Sequence, residues 1–248
     1  PDEAHNMTAC MLASKIGARR TVARVDNYEY TLPEHSDFFR TVGIDSIIYP
    51  EMLAGMEILH NIKRSWTRQW WEVQNGALIL LGVKVRENAL ILNKPLKELC
   101  GADAPYHIVA IKRDDETLIP HGNHSLIAGD VVYFLTTPDY IDIIRDAAGK
   151  EDYPEVGHLF VMGGSSTAVH LVNHMPDHMH AKILESNATR ALQLNEVVKN
   201  NHTLILHGDG RDLSLLEEEG VRKAQAFVAL TQHSEQNILA CLAAKRLG

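Results

Sequence analysis

The sequence predicts an α/β protein: Rossmann-like parallel-sheet domains, both incomplete, flanking a small α+β domain. Three observations carry this. From His158 onward, short apolar runs alternate with amphipathic helical stretches, the pattern of a parallel sheet with right-handed crossovers. Residues 6–17 (NMTACMLASKIG) return without gaps as residues 237–248 (NILACLAAKRLG), so Asn237 stands 231 residues after Asn6. Between them, from Gln74 to about Arg145, the alternation gives way to β-rich sequence with turn signals.

Taken in order, the first element is the repeated helix. Its copies share Asn6/Asn237, Ala9/Ala240, Cys10/Cys241, Ala13/Ala244 and Gly17/Gly248. Both are Ala-rich and amphipathic, and both stop at Gly, as helices commonly do. The chain is therefore expected to begin inside one copy of a unit and stop inside the next, as the central piece of a longer duplicated protein. Its lack of an initial Met fits that expectation.

Arg20–Val25 then reads as a strand, followed by a loop with Asn27 and Tyr30, a helix around His35–Val42 and a strand Ile44–Tyr49. Pro50, suited to a first helical position, opens a helix to about Arg64. In the middle region Ala77–Val85, Tyr106–Lys112 and Asp130–Leu135 read as strands, with turns at 113–115 and 121–123 and a closing helix Asp139–Ala147. The polar stretch Ala148–Gly157 reads as a linker. Beyond it come strand His158–Gly163, a helix to about Met175 ended by Pro176, strand Ala181–Glu185, helix Ala188–Lys199 and strand Thr203–His207. A short helix Asp212–Glu219, strand Ala226–Thr231 and the second repeated helix complete the order. The expected division is residues 1–68, 69–150 and 151–248.

Composition narrows the function. With 24 Lys+Arg against 32 Asp+Glu in 248 residues, a formal net charge of −8, the chain lacks the basic balance of a nucleic-acid binder. Hydrophobic residues at 45% and charged residues at 23% exclude a disordered or fibrous chain. No run reaches the roughly 18 apolar residues that a membrane-spanning helix needs, and no signal-peptide pattern opens the sequence. Cys10, Cys100 and Cys241 are far apart, which suggests neither a disulfide framework nor a cysteine zinc site and suits a reducing cytosol.

The strongest chemical signal is Gly163-Gly164-Ser165-Ser166-Thr167-Ala168, placed between a strand and a helix as G-x-G-x-x-G/A is in a dinucleotide fold. The first Gly permits the tight turn, the small sixth residue lets helix and strand approach, and backbone N–H groups at the helix start face a pyrophosphate. Glu185 closes the next strand 22 residues after Gly163, where a carboxylate accepts ribose hydroxyls. Ser165 departs from the pattern, because a Cβ stands where phosphate normally comes closest, although its hydroxyl is itself a donor. Read alone, the turn fits a nucleotide cradle or a degenerate Rossmann turn that holds nothing. His207-Gly208-Asp209-Gly210-Arg211-Asp212 and Thr231 lie at carboxyl ends of strands, where ligands sit in open α/β sheets. Asp212 also suits a helix N-cap.

Together these segments, with EEEGV and AFVALTQHSEQNILACLAAKRLG, resemble the RCK family, cytosolic regulators of potassium conductance also called KTN. PDEAHNMTACMLASKIGARRTVARVDNYEY is similar to the tail of a preceding copy of the same domain, and FFRTVGIDSIIYPEMLAGMEI to that family's crossover helix. Residues 74–145, with KPLKEL, HIVAIKRDDETLIPHG and IAGDVVYFL, are similar to its small RCK-C (TrkA-C) domain. The tandem order and spacing are similar to the TrkA-type regulators of that family. The resemblance covers nearly the whole chain. It implies NAD(H) or ATP/ADP as ligand, a dimeric or tetrameric assembly, a Trk-type potassium-translocating membrane subunit as partner, and a cytoplasmic place at the inner face of the cell membrane. It further implies that Gly163, Gly164, Ser165, Ser166 and Thr167 hold phosphates and Glu185 the adenosine ribose, with Asn187 and Arg190 close behind. Gly208 and Asp209 would border the adenine, and Thr231 would lie beneath the phosphate or nicotinamide. Of the first copy's ligand edge only Asp2, Glu3 and Arg24 remain.

Weaker signals have bland readings. His170 and His174, spaced i, i+4, could present two ligands to one ion, with His178, His180 and Asp177 nearby, or form a solvated face. Trp66 and Trp70 share a face if the helix from Pro50 continues, and together with Trp71 suit core packing or a subunit contact. Glu217–Glu219 reads as a solvated helix end, and Cys10 and Cys241 as tight packing beside Ala. No nucleophile elbow, zinc-protease motif or Walker lysine occurs. A dehydrogenase, the competing class, would use the second Rossmann half with a proton donor drawn from His107, His121 or His124. A histidine metal sensor is the third. The leading expectation is a nucleotide-sensing regulator in which Pro50–Arg64 is the bistable element.

Overall fold

Helix α1 (Glu3–Lys15) starts because the Asp2 side chain accepts the Ala4 N–H at 3.0 Å, and none of its residues is buried. The computed structural model describes residues 2–101 and 103–247. Gly248, the expected stop of the second repeated helix, lies outside the described residues. After α1 come β1 (Val22–Arg24), α2 (Ser36–Thr41), β2 (Ser46–Ile48) and α3 (Pro50–Lys63). β1 and β2 pair in parallel, Ala23 opposite Ile47, over a small core of Ala23, Phe39 and Ile44.

The middle of the chain forms β3 (Gln69–Val73), β4 (Leu78–Lys84), α4 (Leu96–Leu99), β5 (Tyr106–Arg113), β6 (Glu116–Leu118), β7 (Val131–Thr136) and α5 (Ile141–Ala147). Its five strands make an antiparallel sheet in the order β3-β4-β7-β5-β6. β7 shows the alternation of a strand with one face inward, and Val132 and Phe134 are fully buried. The remaining elements are β8 (His158–Met162), α6 (Ser166–Asn173), β9 (His180–Glu185), α7 (Ala188–Val197), β10 (Thr203–His207), α8 (Leu213–Glu218), β11 (Ala226–Ala229) and α9 (Ser234–Leu247). Their strands form a parallel sheet ordered β10-β9-β8-β11. That is a doubly wound arrangement, with β8 central and fully apolar from Leu159 to Met162 because it is covered on both faces.

Two compact units result: Pro1–Ile62 with Val156–Gly248, and Lys63–Glu155. Within the first, α3 lies against α6. At Gly55 a Cβ would stand 3.0 Å from both Leu171 N and Thr167 O, so only glycine admits this approach of two helix backbones. Leu59 and Ile62 of α3 share the core of Leu159, Val161, Ala168 and Leu171.

Three sequence expectations are corrected. The helix from Pro50 does not continue to Trp70: α3 ends at Lys63, and Trp70 and Trp71 lie in β3, paired with Leu81 and Leu80. Trp66 and Trp70 belong to the core of the second unit, while Trp71 stacks on Tyr133 at 6.3 Å. The expected linker is partly built into that unit, since Ala148 is fully buried and Arg145 donates to Lys150 O and Tyr153 O at 3.2 and 2.9 Å. Cys241 is exposed rather than tightly packed, because Ala240 and Ala244, spaced i, i+4, form the buried stripe of α9 and Cys241 falls one step around it.

Candidate functional site

The carboxyl ends of β8, β9, β10 and β11 surround a cavity of about 750 Å³. That volume is within the range of sites for drug-sized ligands, roughly 300–1,000 Å³. Of the sequence-predicted residues, Gly163, Gly164, Ser165, Ser166, Glu185, Arg190, Asp209 and Thr231 line it. Thr167 and Gly208 do not: Thr167 lies one residue further into α6 than Ser166, and Gly208 packs toward the Leu215 side chain.

The turn is built from its sequence. Gly163 takes φ +96°, and a Cβ there would stand 3.1 Å from Leu230 C and O, so glycine is required twice over. Ser165 has an ordinary φ of −68°, so its position does not demand glycine for conformation. It is the N-cap of α6, its Oγ accepting from Ala168 N at 3.3 Å, which leaves the hydroxyl hydrogen available to a ligand.

Glu185 holds the turn and the next strand end together. Its Oε2 accepts the Gly164 N–H at 2.7 Å and its Oε1 the Asn187 N–H at 2.8 Å. Each oxygen keeps a lone pair for a hydroxyl donor. Arg190 closes the same loop, donating from Nε to Gly164 O at 2.9 Å. On the far rim Thr231 is clasped by Asn237, the repeated asparagine: Thr231 Oγ1 donates to Asn237 Oδ1 at 2.6 Å and Asn237 Nδ2 donates to Thr231 O at 2.9 Å. Arg211 chelates Asp209, and its side chain and backbone N–H hold the Asp209 carboxyl below the usual carboxylate range.

Sequence reasoning missed one wall. Glu51, from the first turn of α3, also lines the cavity, and its Oε2 is buried without a hydrogen-bond partner among the described residues. Its Oε1 stands 3.8 Å from Arg24, a half-exposed side chain that also pairs with Asp26 at 3.3 Å. Nothing local marks Glu51, since only the packing of α3 on α6 brings it to the cavity. Asp2 and Glu3, the other remnants of the first copy's edge, act in structure: Asp2 caps α1, and Glu3 Oε2 accepts from Asp26 N and Asn27 N at 2.9 and 3.0 Å.

The histidine constellation is stacking. His170 lies 6.2 Å from His174, 4.9 Å from Tyr28 and 5.3 Å from Tyr49 between ring centroids. Among the described residues no three His, Cys, Asp or Glu side chains gather so as to hold a metal ion. His107, His121 and His124 do not line the cavity. Nor is any helix of the described residues long and apolar enough to cross a membrane.

Comparison with known proteins agrees with this fold. Residues 159–248 match the model of the TrkA-N domain and residues 80–149 that of the TrkA-C domain. The chain is 28% identical over 251 residues to the Trk system potassium uptake protein TrkA of Azorhizobium caulinodans, covering 98% of this chain and 54% of the relative. It is 26% identical over 255 residues to the Trk system potassium uptake protein trkA homolog 1 of Methanosarcina mazei, covering 98% and 61%. The chain thus spans little more than half the length of these curated relatives. Among solved structures it resembles the GsuK RCK domain with a TM-score of 0.60 at 15% identity, over the whole of this chain and 51% of that one. It also resembles the GsuK channel bound to NAD, with a TM-score of 0.58 at 15% identity, over the whole of this chain and 42% of that one. At such identities the likeness shows the fold. Residues 80–149 are therefore a TrkA-C domain and residues 159–248 a TrkA-N domain.

Proposed function

We propose that this chain is a nucleotide-sensing part of a regulator of potassium uptake, organised as the end of one RCK domain (1–68), an RCK-C domain (69–150) and most of a second RCK domain (151–248). The observation that carries the reading is the Gly163 turn and the Glu185 carboxylate, linked at 2.7 Å on one cavity at the carboxyl edge of a parallel sheet. The residues suit NAD(H) or an adenine nucleotide. Backbone N–H groups at the start of α6, with Ser165 and Ser166, would take the phosphates. Glu185 would take the ribose diol, and Asp209 would border the base. The buried, unpaired Oε2 of Glu51 needs a donor, which a hydroxyl or amide of the ligand supplies and a phosphate does not.

Glu51 also gives the ligand a lever. Because it sits in the first turn of α3, a molecule filling the cavity touches the helix expected to act as the bistable element. A ligand that binds one orientation of α3 better shifts the population toward it, by no more than its differential affinity. The gated partner is a potassium-translocating membrane subunit, met from the cytoplasm by a dimeric or tetrameric ring.

Calorimetric titration of the full chain with NAD, NADH, ATP and ADP tests this. Saturable binding of at least one, with no change in its absorbance in the presence of small carbonyl substrates, supports the sensor. Turnover of NADH would favour the oxidoreductase instead, and no binding by any of the four would sink the reading.

A further inference from the structure

Lys150 is 8% exposed; among the described residues its ammonium pairs with no carboxylate and no hydrogen-bond acceptor, and its Nζ keeps contact with solvent. Its backbone is fixed: Lys150 N donates to Arg145 O at 2.9 Å, Tyr153 N donates to Lys150 O at 3.0 Å, and Arg86 N donates to Ala148 O at 3.2 Å. The side chain is thereby aimed over the Tyr153 ring, 4.8 Å from its centroid, and the Arg86 guanidinium lies over the same ring at 5.1 Å. Arg68, whose N–H donates to Gly82 O on the neighbouring strand, and Lys84, at the end of β4, lie near enough for their charges to act on Lys150, which makes four cations in all. None of the four forms an ion pair among the described residues. Of the nearby carboxylates, Glu151 bonds Asn88 at 3.1 Å and Glu155 pairs with Arg145 at 3.5 Å, while Glu87 and Asp152 pair with none of the four cations.

Burial first, then Arg86, Arg68 and Lys84, depress the Lys150 ammonium from its usual range. Two cations over one aromatic ring, with two more close enough to repel the Lys150 charge, are unfavourable without a counter-ion. We propose that Arg68, Lys84, Arg86 and Lys150 form an anion site in the Lys63–Glu155 unit, separate from the cavity at the Gly163 turn, for a ligand bearing more than one phosphate charge. Two guanidinium forks and two ammonium groups match the many acceptor oxygens of a multivalent phosphate better than a monovalent ion. Free polyphosphate and a lipid phosphate headgroup share this chemistry.

The test is a ¹⁵N NMR titration of the full chain with inorganic pyrophosphate, read at the Gly149 and Lys150 amides. These are resolved from any shifts at residues 163–168. The expected result is saturable movement of both, weakened about tenfold by Arg86→Gln in a chain whose other resonances are unchanged, and not reproduced by sodium chloride of equal ionic strength. A second arm adds phosphatidylglycerol vesicles. Sedimentation with the vesicles that is lost in Arg86→Gln assigns the site to lipid headgroups, and its absence alongside a pyrophosphate response assigns it to free phosphate. Amides that stay still in both arms, a response equal in chloride, or one indifferent to Arg86→Gln overturns the proposal.

Discussion

The Glu185 carboxylate accepts the Gly164 N–H at 2.7 Å, so the acidic end of β9 and the glycine turn after β8 are one structural object. Substitution should therefore act on binding and on turn geometry together. Glu185→Gln keeps the side-chain shape but weakens the ribose and amide hydrogen bonds, charge-assisted contacts worth about 1.5–3 kcal/mol each. Nucleotide affinity by calorimetry should fall on the order of tenfold to a hundredfold, with a smaller drop in melting temperature. Unchanged affinity would remove Glu185 from the site.

Ser165→Gly separates two roles of one residue. The Oγ caps Ala168 N, and exchange of a serine cap for glycine costs only a few tenths of a kcal/mol. Removing the Cβ lets phosphate come closer to the backbone, which the hydroxyl presently offsets by donating. Nucleotide affinity should rise while the denaturation midpoint hardly moves. A marked loss of affinity would instead make the Ser165 hydroxyl the principal phosphate donor.

The parallel sheet was legible because each strand is apolar and each turn carries small residues, so Thr203–His207 is read to the residue. Seven of the predicted cavity residues were legible because a nucleotide fold uses the carboxyl ends of strands in a fixed order, whereas Arg190, inside α7, came only with the family resemblance. What could not be read depends on distance or on pairing. Glu51 reaches the cavity only through the tight approach at Gly55, and no local pattern reports which helix a glycine will meet. Trp66 and Trp70 follow a helix at helical spacing. Only the antiparallel partner β4, which gains a full edge from the segment around Trp70, makes that segment a strand. Lys150 reads as a linker charge because burial of a lysine has no sequence signature.

Asp130 anchors the five-stranded unit. It is 1% exposed and accepts Arg113 Nε and Nη2, both at 2.8 Å, and Ile127 N at 3.0 Å. Burial raises its carboxyl pKa, but the hydrogen bonds of Arg113 and Ile127 and the nearby positive charge outweigh this and hold it below the ordinary value. A carboxyl with a depressed folded pKa contributes stability above its unfolded value, and that stability is lost as pH falls through the folded value. Unfolding of the 63–155 unit, followed by the fluorescence of its tryptophans, should therefore ease below about pH 4. Asp130→Asn should cost about 3 kcal/mol at neutral pH, the low end for breaking a buried pair because Arg113 keeps some solvent. It should also flatten the acid limb. Retention of the full acid limb would assign it to other carboxylates.

His170 links α6 to the segment that precedes α3. Tyr28 and Tyr49 flank its ring, His174 stacks beside it, Glu51 faces it from α3, and its Cβ is 3.1 Å from the point a Cβ on Gly55 would occupy. Burial, then the neighbouring His174, lowers its pKa, and Glu51 opposes them in part. The unfolded chain therefore binds the proton more readily than the folded one. His170 then contributes stability above its unfolded value, near pH 6.5, and that contribution shrinks as pH falls through this point toward the lower folded value. Because the half-buried ring sits where α3 meets α6, its protonation should loosen the same contact that carries Glu51 to the cavity. Urea midpoints at pH 7.5 and 5.5 should show a drop for the native sequence and a smaller one for His170→Phe, which keeps the aromatic packing without the charge. Nucleotide affinity should follow the same pH dependence in the native chain and lose it in the variant. Parallel pH slopes for the two chains would place the titration at another histidine.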